Sequence, residues 1–263
     1  KELYLALPKR KERGASSEIP FGLDISGKLQ CARLAKFPHM LIAGTSGSGK
    51  SIFAHSILMT LIMRNRPEDL KLVLIDPKRG VEMSRYKDLP HLLCPIVKEA
   101  VPAKNCLKKL VDLMNKRYRM LEEVGATSLE EYNSEYAYPE KRKRMSLIVC
   151  FIDEFADLVG ECKEISEHVL TLAAKARSCG IHLIVATQRP DVKVITGTIK
   201  ANLACRVALT VSSPQDSITI IGKSGAESLY GYGDMLIDCA ELGNRDFVRA
   251  QGCLTKLGEG KRV

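Results

Sequence analysis

Residues 44–51 read Gly-Thr-Ser-Gly-Ser-Gly-Lys-Ser, set between an apolar run, Met40-Leu41-Ile42-Ala43, and a helix-compatible run starting Ile52-Phe53-Ala54-His55. No other stretch constrains the fold as tightly. The spacing matches G-x-x-x-x-G-K-[ST] without a mismatch. Its glycines let the backbone curl until successive N–H groups converge on one concavity that suits anionic oxygens. The helix that follows adds the positive end of its dipole. Gly44, Thr45, Ser46, Gly47, Ser48, Gly49, Lys50, Ser51 and Ile52 are therefore expected to hold ATP, with Lys50 reaching the β and γ phosphates and Ser51 ligating Mg²⁺.

The rest of the chain fits an α/β domain around such a loop. Continuous apolar runs at His39–Ala43, Leu70–Ile75, Leu147–Ile152, Ile181–Ala186 and Arg206–Val211 suit strands covered on both faces, as in a parallel sheet. Helical periodicity falls between them, at Ser51–Arg64, Pro102–Val124 and Glu161–Cys179, which implies a three-layer sheet with right-handed crossovers. A β-like segment at Phe21–Lys28, with Gly27 suited to a hairpin turn, precedes this core. A late β-rich part, Gly233–Asp238 and Phe247–Gly252, is expected to pair at the sheet's edge. Residues 1–20 read as a tail or connector, 21–253 as the domain and 254–263 as a C-terminal tail.

A second feature supplies chemistry. Leu147–Ile152 runs directly into Asp153-Glu154. Asp153 at a strand end would hold Mg²⁺ through water, and Glu154 would polarise an attacking water. Two adjacent carboxylates favour hydrolysis over small-molecule phosphorylation, which needs no activated water. An N-K-x-D base reader, usual in GTP switches, does not occur. Gln188, placed directly after the run Ile181–Ala186, is positioned to sense the γ-phosphate.

The net charge is +9, which invites a nucleic-acid reading, but residues 1–13 supply +3 and Lys141-Arg142-Lys143-Arg144 another +4, leaving the remainder nearly balanced. Charge alone therefore describes two solvated basic segments. The nine cysteines form no CxxC pair, which suggests buried thiols in a reducing compartment rather than a zinc site. No apolar run reaches the roughly 18 residues of a membrane span.

Several segments resemble the motor core of FtsK/SpoIIIE DNA translocases: Ala43–Ser51, Ile75-Asp76-Pro77-Lys78, Phe151–Leu158 (FIDEFADL), Gly180–Pro190 (GIHLIVATQRP) and Val194–Asn202 (VITGTIKAN). Their order matches, and the similarity runs from about Phe21 to Gly252. The resemblance implies a RecA-like P-loop ATPase domain that assembles as a ring, usually a hexamer, around double-stranded DNA. ATP would sit between subunits. An arginine from the next subunit would then act on the transferring phosphoryl group, Arg206 first and Arg177 second. Arg189, Lys193 and Lys200 would lie near the channel and meet DNA phosphates.

Two departures stand out. Ile218 occupies a place where family members often carry arginine, and Lys141–Arg144 has no family counterpart. The chain also stops soon after Gly252, short of any winged-helix module. The resemblance leaves three roles: a translocase serving chromosome partition and cell division or mobile-element transfer, a conjugative coupling ATPase with a relaxase partner, and a secretion-type ATPase acting on protein. A nucleotide-gated scaffold is disfavoured by Asp153 and Glu154. The motor is expected on the cytoplasmic side, with any membrane anchor or recombination partner outside this chain.

Overall fold

The computed structural model describes residues 16–78, 80–137, 143–242 and 247–254. Residues 1–15 and 255–263 of the two tails, and residues 138–142, which include Lys141 and Arg142 of the basic tetrad, lie outside them.

Nine strands form one sheet: β1 Glu18–Asp24, β2 Leu29–Arg33, β3 His39–Ala43, β4 Leu70–Ile75, β5 Leu147–Ile152, β6 Ile181–Thr187, β7 Cys205–Leu209, β8 Asp234–Asp238 and β9 Val248–Gln251. The order across the sheet is β2-β1-β9-β8-β7-β3-β6-β5-β4. The block β7-β3-β6-β5-β4 is parallel, and β8, β9, β1 and β2 extend it with antiparallel pairings. All residues of β3, β5 and β6 are buried, which is why they read as unbroken apolar runs.

The helices are α1 Lys50–Arg64, α2 Ala100–Glu122, α3 Leu129–Glu131, α4 Phe155–Glu161, α5 Glu164–Lys175, α6 Gly197–Asn202 and α7 Pro214–Ile221. Helix α1 buries most of its circumference. It packs under β1, where the Phe21 and Phe53 rings lie 6.2 Å apart. Helix α2 buries Ala103, Leu107, Leu110, Met114, Arg117 and Leu121, spaced alternately four and three apart, on one stripe facing α5. Arg117 is itself buried, with its guanidinium spent on the carbonyls of Cys179 at 2.7 Å and Ser146 at 2.8 Å. It thereby ties the ends of two crossovers to α2.

Two expectations need correction. The β8–β9 pair does not end the sheet: β9 pairs onward with β1, so the hairpin β1–β2 forms the outer edge. That hairpin starts at Glu18, inside the stretch read as a tail. The helix expected over Glu161–Cys179 is shorter, Glu164–Lys175, and an extended Cys162 separates it from α4, which ends at Glu161.

Parallel strands aligned this way end at one rim, so Ala43, Ile75, Ile152, Thr187 and Leu209 deliver their following loops to one place. Strand β6 lies between β3 and β5. The loop after β3, the acidic pair after β5 and Gln188 after β6 are thereby brought side by side.

Candidate nucleotide site

The loop after β3 is fastened to neighbouring strand ends. Gly44 N–H donates to the Thr187 carbonyl at 3.3 Å, and Thr45 donates its N–H and hydroxyl to the Thr210 carbonyl at 2.9 and 3.0 Å. Gly233 N–H donates to the Ser48 carbonyl at 2.8 Å. Two glycines are required by space as well as by backbone. A Cβ on Gly49, which has φ 100°, would lie 2.5 Å from the Gly233 nitrogen, and one on Gly44 would lie 2.8 Å from Leu209 Cβ. The Ser48 hydroxyl is buried with no hydrogen-bond partner among the described residues. Such an orphan inside a cradle of N–H groups fits a polyanionic ligand. The loop opens on a cleft of about 560 Å³ whose lining includes Thr45, Lys50, Ser51, Gln188, Tyr232 and Leu254.

Lys50 and Asp153 are both buried and form an ion pair at 2.6 Å. The carboxylate of Asp153 thus already faces a cation beside the loop. With the Ser51 hydroxyl it offers hard oxygen donors of the kind Mg²⁺ takes.

Glu154 adopts a left-handed conformation (φ 45°, ψ 58°) at the start of α4 and is only 2% exposed. A non-glycine residue there needs support from its surroundings. Its carboxylate accepts from the Thr187 hydroxyl at 3.0 Å, from Gln188 N–H at 3.0 Å and from the Lys78 ammonium at 3.4 Å. Lys78 is positioned in turn by Asp76. That buried carboxylate accepts from the backbone N–H groups of Lys78 and Met83, each at 3.1 Å.

His55, on α1, places Nδ1 2.9 Å from the Tyr86 hydroxyl and Nε2 3.8 Å from a Glu82 carboxylate oxygen. Burial, reinforced by the nearby Arg85 charge, lowers its pKa to about 4, against the opposing pull of Asp153. It is therefore neutral at physiological pH. Burial likewise raises the Tyr86 phenol above its ordinary range.

The FtsK/SpoIIIE family model matches residues 4–192, most of the chain, including both the phosphate loop and the Asp153-Glu154 strand end. The chain belongs to the FtsK/SpoIIIE family. It is 44% identical over 265 residues to DNA translocase FtsK of Haemophilus influenzae, spanning 92% of this chain and 50% of that protein. It is 43% identical to DNA translocase FtsK of Caldanaerobacter subterraneus subsp. tengcongensis, spanning 98% of this chain and 36% of that protein. The chain therefore covers half or less of these relatives. Among solved structures it resembles the conjugation coupling protein TcpA of pCW3, a monomer form with ATPγS (TM-score 0.81, 28% identity, 95% of this chain and 71% of that one). The cytoplasmic domain of Thermomonospora curvata EccC, a Type VII secretion ATPase, shares the fold (TM-score 0.82, 24% identity, 95% and 30%).

Of the residues singled out in the sequence, the loop 44–52, Asp153, Glu154 and Gln188 converge at one rim. The arginines do not. Arg206 lies on β7 opposite Asp238 and is ion-paired with it. It stands about 10 Å of strand before the rim at some 3.3 Å per residue. Arg177 donates to the Ala35 carbonyl at 3.2 Å, at the opposite end of the sheet. Arg189 and Lys193 are exposed on the segment leaving β6, and Lys200 lies in the last turn of α6. Within the tetrad, Arg144 lies 3.7 Å from Asp69.

Three contributors were not assigned roles from the sequence: Lys78, Asp76 and Thr187. Asp76-Pro77-Lys78 was visible as a family block, and Thr187 precedes Gln188, so the signal was present without a role attached. Among the described residues no helix is long and apolar enough to cross a membrane.

Proposed function

We propose that this chain is the ATP-hydrolysing motor of a double-stranded DNA translocase, working on the cytoplasmic side as a ring, usually of six copies. The observation that carries the reading is the buried Lys50–Asp153 pair set beside a second carboxylate, Glu154, at the same rim as the phosphate loop. Identity of 40–44% to FtsK DNA translocases over most of the chain supports DNA as the substrate class. The motor domain, expected over 21–253, is taken to begin three residues earlier, with the β1–β2 hairpin from Glu18 as its outer edge.

Loop residues 44–52 would bind the triphosphate, and Ser51 with Asp153 would hold Mg²⁺, whose chemistry there is to neutralise phosphate charge. Lys50 must leave Asp153 to reach the β and γ phosphates. Glu154 must leave Thr187 and Gln188 N–H to accept a proton from water. That water attacks the γ phosphorus, its proton passes to Glu154, the bond to the bridging oxygen breaks, and ADP leaves with the electron pair. Gln188, whose backbone holds Glu154 and whose side chain lines the cleft, links the γ-phosphate position to release of Glu154. Arg206, or failing that Arg177, would complete the site of a neighbouring subunit. Arg189, Lys193 and Lys200 would contact DNA phosphates, giving binding that weakens with salt and is largely independent of sequence.

A second reading is favoured by the structural similarity to TcpA: a conjugative coupling ATPase that passes DNA to a transfer channel. One experiment tests both against a protein-export role. ATPase rate is measured against duplex length, with single-stranded DNA and peptide controls. The motor requires a rate that rises with duplex length. Stimulation by peptide and not by duplex overturns the DNA reading.

A further inference from the structure

The geometry points to Tyr232 as the stacking platform for the nucleobase of the bound nucleoside triphosphate, an inference that rests on the nucleotide reading above. The cleft has a direction. Its γ end is marked by Lys50 and Gln188, on the β5–β6 side of the loop. From there it continues past the loop in the opposite direction, toward β8 and β9, where Tyr232, Gly233, Gln251 and Leu254 line it. A triphosphate held by Lys50 at its γ end therefore carries its base into that second part.

Tyr232 is built to meet it. The residue is 88% exposed, although its aromatic ring is large, and its backbone is left-handed at φ 51°. Such a conformation costs on the order of 1 kcal/mol for a non-glycine residue and persists only where neighbours fix it. Here they do. The Tyr232 carbonyl accepts from Gln251 Nε2 at 2.9 Å, and Gly233 N–H donates to Ser48 of the phosphate loop at 2.8 Å. Asp234 holds the same turn, accepting from Tyr230 N–H at 3.0 Å and from the Arg249 guanidinium at 3.0 and 2.6 Å. The turn is thus braced on the loop and on β9, while the Tyr232 side chain is exposed and the residue lines the cleft. Exposed aromatic rings in fixed positions suit base stacking, since every base has a π face.

The chain contains no tryptophan, so Tyr232→Trp introduces a sole indole reporter. Its fluorescence should change on adding ATP and not on adding tripolyphosphate, which lacks a base. Tyr232→Ala should weaken ATP binding about tenfold or more while leaving tripolyphosphate binding unchanged, and Tyr232→Phe should bind ATP like the parent. Parent-like ATP affinity in Tyr232→Ala overturns the proposal, as does an equal loss of both ligands. A parent chain that binds neither ligand overturns the nucleotide reading, and the stacking with it.

Discussion

Acid should unfold this domain through its buried imidazoles. His39 and His182 lie at the start of β3 and β6, with ring centroids 6.2 Å apart. His39 Nδ1 accepts from Leu183 N–H at 3.1 Å, so the ring is neutral, and its Nε2 is buried with no partner among the described residues. His182 Nδ1 donates to the Pro38 carbonyl at 2.9 Å. Burial lowers the pKa of His39 to about 3 and of His182 to about 4, and burial takes His55 to about 4 as well. The unfolded chain binds protons near the ordinary value of about 6.5, while the folded chain refuses them until about 3 to 4. Stability is therefore fully present above about pH 6.5 and falls as pH drops below it. Between about pH 7 and about pH 5 each histidine costs about 2 kcal/mol, so the three together remove about 6 kcal/mol, with close to three protons taken up on unfolding near pH 5. Ordinary carboxylates contribute little in that window, because their unfolded values lie near 4. Urea unfolding at closely spaced pH values measures the slope. His182→Gln, which can still donate to the Pro38 carbonyl, should lower the uptake by about one proton whatever it does to absolute stability. Uptake of about one proton or less in the parent would refute the reasoning.

Further outcomes follow from the loop and its partners. Gly49→Ala should fold, by circular dichroism, yet lose ATP affinity by about tenfold or more in a titration, since the added Cβ collides with Gly233 backbone that cannot rotate away. Lys50→Ala should abolish hydrolysis and also lower stability by about 1–3 kcal/mol in urea unfolding, because it strands the buried Asp153 carboxylate. Glu154→Gln should bind ATP but turn over about a hundredfold or more slower in a steady-state assay; a parent-like rate removes Glu154 from the mechanism. Arg206→Ala subunits should be inactive alone and regain ATPase activity when mixed with inactive Lys50→Ala subunits, a recovery that a purely structural Arg206–Asp238 pair would not produce.

Strand and loop positions were legible because they depend on local pattern. The runs at His39–Ala43, Leu70–Ile75 and Leu147–Ile152 coincide with β3, β4 and β5. Burial on both faces leaves no alternation to misread. Partner choice is not local. That β9 pairs with β1, and so moves the hairpin to the outer edge, depends on two-residue contacts between Leu23-Asp24 and Ala250-Gln251, more than two hundred positions apart. Nor does apolar periodicity register the exact ends of α5, which starts at Glu164 after an extended Cys162 and stops at Lys175, four residues before Cys179.

The state of Glu154 is the deepest case. Its place at the end of β5 could be read from LIVCFIDE, and with it the chemistry of a carboxylate next to a phosphate loop. Its restraint could not. Thr187 is 33 positions away and Lys78 is 76 away, and each looks locally like an ordinary polar residue after a strand. They meet Glu154 only because β4 and β6 are the two neighbours of β5. The strand order that places Gln188 between the phosphate loop and the acidic pair is thus the same order that surrounds Glu154 with donors. A carboxylate held by a hydroxyl, a backbone N–H and an ammonium has three of its roughly four acceptor sites occupied. The setting of Glu154 therefore depends on the ends of two flanking strands, and one of these, β6, leads directly into the Arg189–Lys200 segment proposed above to meet DNA. In this geometry a displacement of that segment acts on Thr187 and Gln188 first and on Glu154 through them.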